Sequence, residues 1–301
     1  MAGHAAPEHD YHLIDPSPWP LVASAACLVW CFGMVIFFAG LAPADSGAAF
    51  FFAKGAWPVL IGGTLFGAYS MLAWWKDVTA ESRGGDHTPV VQIGLRYGMI
   101  MFIMQEAMFF VGWFWMFFEL GLFHKARTEP VAGWDNEAVS NFSESFTGGL
   151  ATVDPWHLPL MNTLILLLSG TTVTWAHHAL IHNKRGEAKW GLFLTLVLGA
   201  AFTALQALEY MELIAHKGTE PWLDTNTYGS IFIMATGFHG FHVLIGTVFL
   251  LVCYLRLLAG GFTPEKHFGF EAAAWYWHFV DVVWIFLFAF VYVLFRTGGT
   301  I

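Results

Sequence analysis

Apolar residues in this chain come in long runs separated by short polar connections. Seven runs are long and apolar enough to cross a bilayer, which takes about 20 residues of helix and is rarely sustained by a soluble core helix. They cover residues 19–41, 53–75, 92–120, 156–181, 190–215, 228–258 and 271–296. The longest connection, 121–155, carries Glu129, Asp135, Glu137, Glu144 and Asp154. The pattern predicts an all-α membrane protein, a single transmembrane domain over residues 1–301 with one sizeable acidic loop and no internal repeat.

Composition agrees with the pattern. Hydrophobic residues make up 57% of the 301 and charged residues only 12%, where a soluble protein carries about 25%. The 30 Phe and 15 Trp suit hydrocarbon and its interfaces. A net charge of −9 without a basic block excludes nucleic-acid binding, and the apolar content excludes disorder. Cys27, Cys31 and Cys253 lack zinc-site spacing and read as small core residues. The polar start of the chain has no basic n-region, so the first apolar run is expected to be a retained span and not a signal peptide.

Basic residues near span ends set the orientation. With the N-terminus cytoplasmic, the inner set is Lys76, Arg83, Arg96, Lys184, Arg185, Lys189, Arg256 and Lys266. The outer set is Lys54, Lys125, Arg127, Lys217 and Arg296, so the bias predicts N-in, C-out with the acidic loop outside.

An ionisable group at bilayer depth costs about 2.5–3.5 kcal/mol on insertion scales, so each one needs a reason. Glu106 sits near the middle of the third run. Such apolar surroundings disfavour the charged form unless a partner is supplied. Two readings stand, a proton-linked or lipid-facing carboxyl and a neutral acid bonded to a neighbouring helix. Paired axial histidines would signal haem. His177, His178, His239, His242 and His278, however, fall at different depths along their runs, given the fixed rise of a helix. A buried cluster of Glu209, Glu212, His239 and His242 joining helices is the expected arrangement, with no metal. Asp281, three residues after His278, is expected to bond locally to it or to adjacent helices. Gly237, Gly240, Gly246, Ser169, Thr171 and Thr172 are expected where helices approach closely. At the predicted inner edge, Trp74, Trp75, Lys76, Asp77, Glu81, His87, Arg96 and Arg256 read either as an ordinary interfacial belt or as a phospholipid site.

The motifs carry a resemblance. PSPWP at 16–20, WWKDV at 74–78, HTPVVQIGLRYGMIMFI at 87–103 and Glu106 come first. LLLSGTTVTWAHHAL at 166–180, ATGFHGFHVLIG at 235–246 and HFGFEAAAWYWHFVDVVWIFLF at 267–288 follow. In this order they resemble subunit III of the haem-copper cytochrome c oxidases. That resemblance implies seven helices split two plus five around a cleft filled with phospholipids. It implies no catalytic residue, no metal and no redox cofactor in this subunit, with haem and copper in partner subunits I and II and cytochrome c as donor to the complex. An accessory role in proton uptake and in stabilising the catalytic subunit is implied as well, with Glu106 facing the cleft and Trp75, Glu81, His87 and Arg256 at lipid. Ala80 and Ala259 stand where relatives can carry a basic residue, and the acidic loop is longer than in mitochondrial relatives, which favours a bacterial inner membrane. The alternatives are a quinol oxidase subunit, which typically lacks the first two helices, and a proton-coupled transporter using Glu106. A retinal protein would need a lysine inside the membrane, and every Lys lies at or beyond a run's end.

Overall fold

The structure, a computed structural model, describes residues 11, 16–128, 153–215 and 227–294. Most of the expected acidic loop, with Glu129, Asp135, Glu137 and Glu144, lies outside the described residues, as do Lys217 and Arg296. Among the described residues there are seven long helices. They are α1 (Trp19–Ala39), α2 (Pro58–Gly84), α3 (Pro89–Thr128), α4 (Leu158–Ile181), α5 (Arg185–Ala215), α6 (Thr227–Leu258) and α7 (Phe268–Phe286). The last is continued by a π-helical segment, Leu287–Leu294, and a single helical turn, Ala49–Phe52, precedes α2. Six of the seven are long and apolar enough to cross a membrane, and this is a membrane protein. The exception is α2, whose glycines, tryptophans and charged last turns dilute its apolar length.

Local chemistry explains where the helices begin and stop. Proline stands in the first turn of α1, α2 and α4, where a missing N–H costs nothing. Gly40 and Gly85 close α1 and α2 with positive φ of 73° and 100°. These signals move several bounds. The second helix runs 58–84 instead of 53–75, so Lys76, Asp77 and Glu81 join Trp74 and Trp75 within its last three turns and do not lie beyond its end. The third opens at Pro89 and the fifth at Arg185, each before its apolar run begins.

The chain divides into two compact units, Met1–Leu95 and Arg96–Ile301. In the first, α1 and α2 meet backbone to backbone. A Cβ on Gly33 would stand 2.6 Å from Leu60 Cα, and one on Gly63 would stand 2.6 Å from Trp30 Cα. Such reciprocal contact needs residues without side chains. The Trp19 indole N–H donates to Asp77 and ties the far ends of the two helices. Little else is enclosed: Ala26, Gly33 and Ile36 of α1, and Gly63 and Ser70 of α2. Cys27 and Cys31, expected in a core, are exposed on α1, and only Cys253 is buried. An apolar run marks membrane depth but not which face turns inward.

The second unit has a dense centre. Trp277 of α7 is fully buried, and its ring fills the space a Cβ would need at Gly199 (2.7 Å) and Gly246 (3.0 Å). Its indole N–H donates to Ser169 Oγ at 2.8 Å. One heptad on, Trp284 donates to Thr163 Oγ1 at 2.9 Å. Gly240, in contrast, has open space beside it. Helix α3 is held differently, by rings and not by close backbone approach: Phe109 on Phe238 (5.0 Å), Trp113 on Phe238 (5.6 Å) and Phe110 on Phe279 (6.1 Å). A tight turn joins α4 to α5, with Asn183 at φ 57° and Lys184 N–H closing on Ala179 O at 2.8 Å. Arg185 then donates to Phe262 O (2.6 Å) and Leu257 O (2.9 Å), capping the end of α6.

Candidate functional site

Glu106 finds a partner. Its Oε2 lies 2.9 Å from His242 Nε2, and the side chains are 22% and 10% exposed. His242 Nδ1 lies 2.6 Å from Phe238 O, an acceptor only, so Nδ1 carries the hydrogen and donates it. The second ring nitrogen therefore faces the carboxyl with one proton between them, as O–H···N or as O⁻···H–N⁺. Phe110 and Phe109 wall the imidazole at 5.0 and 6.2 Å. The bonded reading of Glu106 thus has a named partner on α6. Depth could have signalled the pair: Glu106 lies near the middle of α3, and His242 near the middle of α6.

The expected four-residue Glu–His cluster divides. His242 goes to Glu106, while His239, fully buried, meets Val280 O through Nε2 at 3.0 Å. Glu209 accepts from Tyr292 O–H at 2.7 Å, and Glu212 is exposed. The reason is depth. Glu209 stands close to the Ala215 end of α5, whereas His239 stands well inside α6 from its Thr227 end. The helical rise turns that offset into a difference of about 9 Å. Glu209 sits instead among polar groups that periodicity did not flag. Gln206 lies one turn before it, with Asn162 Nδ2 3.5 Å from Gln206 Oε1. Asn162 Oδ1, Gln206 Nε2 and Glu209 Oε2 are buried with no hydrogen-bond partner among the described residues.

The candidate headgroup residues separate by unit. Trp74, Trp75, Glu81 and His87 belong to the first; Trp75 is 59% exposed, and Glu81 and His87 are half-buried. Arg96 and Arg256 belong to the second. Arg96 makes a forked ion pair with Glu271, at 3.0 and 3.1 Å from Nε and 2.9 Å from Nη2. Its charge is thus balanced within the chain, a partner the sequence reading passed over. Arg256 lies over the Phe262 ring at 4.6 Å.

The comparisons decide the family. The family model described as cytochrome c oxidase subunit III matches residues 9–295. The chain belongs to the cytochrome c oxidase subunit III family. It is 45% identical to a zebrafish (Danio rerio) protein named cytochrome c oxidase subunit 3, over 94% of this chain and 97% of that one. Proteins of the same name from wheat (Triticum aestivum), at 45% over 94% and 96%, and the liverwort Marchantia polymorpha, at 44% over 95% and 96%, are similar to the same extent. Among the described residues, polar groups join helices in pairs: Glu106 with His242, Arg96 with Glu271, Glu209 with Tyr292.

Proposed function

We propose that this chain is the non-redox accessory subunit of a proton-pumping cytochrome c oxidase, seated beside catalytic subunits I and II. In that complex the partner subunits carry haem and copper and pass electrons from cytochrome c to oxygen. The likeness to proteins named cytochrome c oxidase subunit 3 over almost the whole chain carries the reading. The Glu106–His242 pair supports it, because its second histidine nitrogen is spent on the helix's own backbone. We read α2 as a seventh span, giving two helices before and five after a phospholipid-filled cleft, with the N-terminus cytoplasmic.

Bound phospholipid is part of the same proposal. Trp74 and Trp75 would brace the glycerol region, while Glu81, His87, Arg96 and Arg256 supply polar contacts at the headgroups. Arg96 acts there through its pair with Glu271 and not as a free cation. Glu106 faces the lipid side and supports proton uptake by the catalytic subunit.

Purification of the tagged chain from membranes in mild detergent, with an optical spectrum of the product, tests the reading. Co-purification with haem and copper polypeptides is expected, with no haem band once the chain is separated from them. A stoichiometric redox metal held by the isolated chain would overturn the accessory role. A catalytic partner lacking its copper-binding sequence would shift the donor from cytochrome c to quinol.

A further inference from the structure

Three of the buried polar atoms that lack a hydrogen-bond partner among the described residues belong to neighbouring side chains: Asn162 Oδ1, Gln206 Nε2 and Glu209 Oε2. Their residues are 0%, 4% and 2% exposed. Asn162 Nδ2 faces Gln206 Oε1 at 3.5 Å, and the Gln206 amide lies beside both Glu209 and Tyr292. The other Glu209 oxygen is held by Tyr292 O–H at 2.7 Å. Asp281 Oδ1 is a further unpartnered atom, since His278, expected to bond it, meets Thr174 Oγ1 at 3.0 Å. It lies against Gly170, however, about 12 Å along α4 from Asn162, and stands outside the group.

The hydroxyls nearest in sequence are already engaged. Thr163 Oγ1 donates to Pro159 O at 2.8 Å and accepts from Trp284 at 2.9 Å. Tyr210 O–H donates to Thr236 Oγ1 at 2.7 Å, whose own hydrogen goes to Phe232 O at 2.6 Å. The rings of Phe232 and Trp284 flank Tyr292 at 5.1 and 5.8 Å and offer nothing more. The three atoms left over are one N–H donor and two oxygens. Exchanging N and O in both amides keeps the Asn162–Gln206 contact and returns the same tally. A metal cation would meet an N–H in either arrangement, whereas water accepts one hydrogen bond and donates two. Water also fits both states of Glu209, donating to Oε2 when the acid is ionised and accepting from it when protonated. Asn162 stands about 6 Å from the Leu158 end of α4, and Glu209 about 9 Å from the Ala215 end of α5. Water need not cross the middle of the membrane to arrive there.

We propose that Asn162, Gln206 and Glu209 form a binding site for one ordered water molecule, which bonds all three side chains and ties α4 to α5. Glu209 carries the link onward to Tyr292, in the π-helical continuation of α7. The site does not depend on which complex the chain serves.

A density map of the chain in its native complex, purified in mild detergent and resolved well enough to show ordered water, tests the site. A peak is expected at about 2.5–3.2 Å from all three atoms. The double variant Asn162→Leu with Glu209→Leu should abolish the peak. Glu209→Gln should keep it, because the amide still bonds water. Direct bonding among the three side chains, with no peak between them, would overturn the site. So would a peak ringed by oxygens at about 2.3–2.6 Å, the spacing of a calcium ion. Persistence of the peak in the double variant would mean that other groups hold it, and would overturn the assignment as well. If the double variant does not assemble, the wild-type and Glu209→Gln maps decide.

Discussion

The helical pair α1–α2 and the bundle α4–α7 are both built of apolar helices, yet they are held together by opposite means. The pair meets through bare backbone, Gly33 against Leu60 and Gly63 against Trp30, and encloses almost no side chain. The bundle encloses two indoles, Trp277 and Trp284, each with its N–H bonded to an α4 hydroxyl. In hydrocarbon there is little hydrophobic drive between helices, so association rests on van der Waals fit and internal hydrogen bonds. The pair uses the first and the bundle uses both. A pair with no interior depends on its surroundings for order, whereas the bundle carries its own specification.

The largest effect should come from the bundle's centre. Trp277→Ala empties the space between Gly199 and Gly246 and leaves Ser169 without its donor. A loss of about 3–5 kcal/mol is expected, read as a large fall in the melting temperature of the subunit in detergent; a barely measurable shift would break the account. Gly63→Leu should follow at about 1–3 kcal/mol, by forcing α1 from α2. Here the contrast sharpens: cleavage by protease in the segment between α1 and α2 should accelerate while the melting of the bundle stays put. If both respond together, the two regions are not held independently.

Glu106→Leu removes the acid bonded to His242 and should cost about 1–3 kcal/mol, whereas Glu106→Gln retains a donor and should cost less. Equal melting of the two variants would show that the hydrogen bond contributes nothing. The smallest effect is expected at Thr195→Val, about 0.5–1.5 kcal/mol, again read from the melting of the subunit. The Thr172 hydroxyl it abandons still has Ser169 O as an acceptor at 2.9 Å.

Hydropathy made the helices legible, because a span's length is fixed by the bilayer and each run satisfies it locally. It misplaced the ends of α2, α3 and α5, where Pro58, Pro89 and Arg185 govern the start and an apolar count has no view of them. The site residues were legible as kinds but not as pairs. Glu106 was conspicuous as an acid in oil, yet His242 is 136 residues away, and only the folding order of the helices makes them neighbours. Glu271 and Tyr292 were overlooked for the opposite reason: each lies near a span's end, where a polar residue raises no alarm until its partner is known. The mistaken core cysteines, Cys27 and Cys31, show the remaining gap, since in a membrane helix the outward face is as apolar as the inward one.

Arg185 adds a constraint on manufacture. Its guanidinium clasps the carbonyls of Phe262 and Leu257, 77 and 72 residues further along the chain. While α5 is entering the bilayer its cation has no acceptor from that distant segment, and the clasp can close only after α6 has emerged and turned back. The start of α5 is thus a loose end early in biosynthesis that the finished chain secures, a built-in order of events written into one side chain.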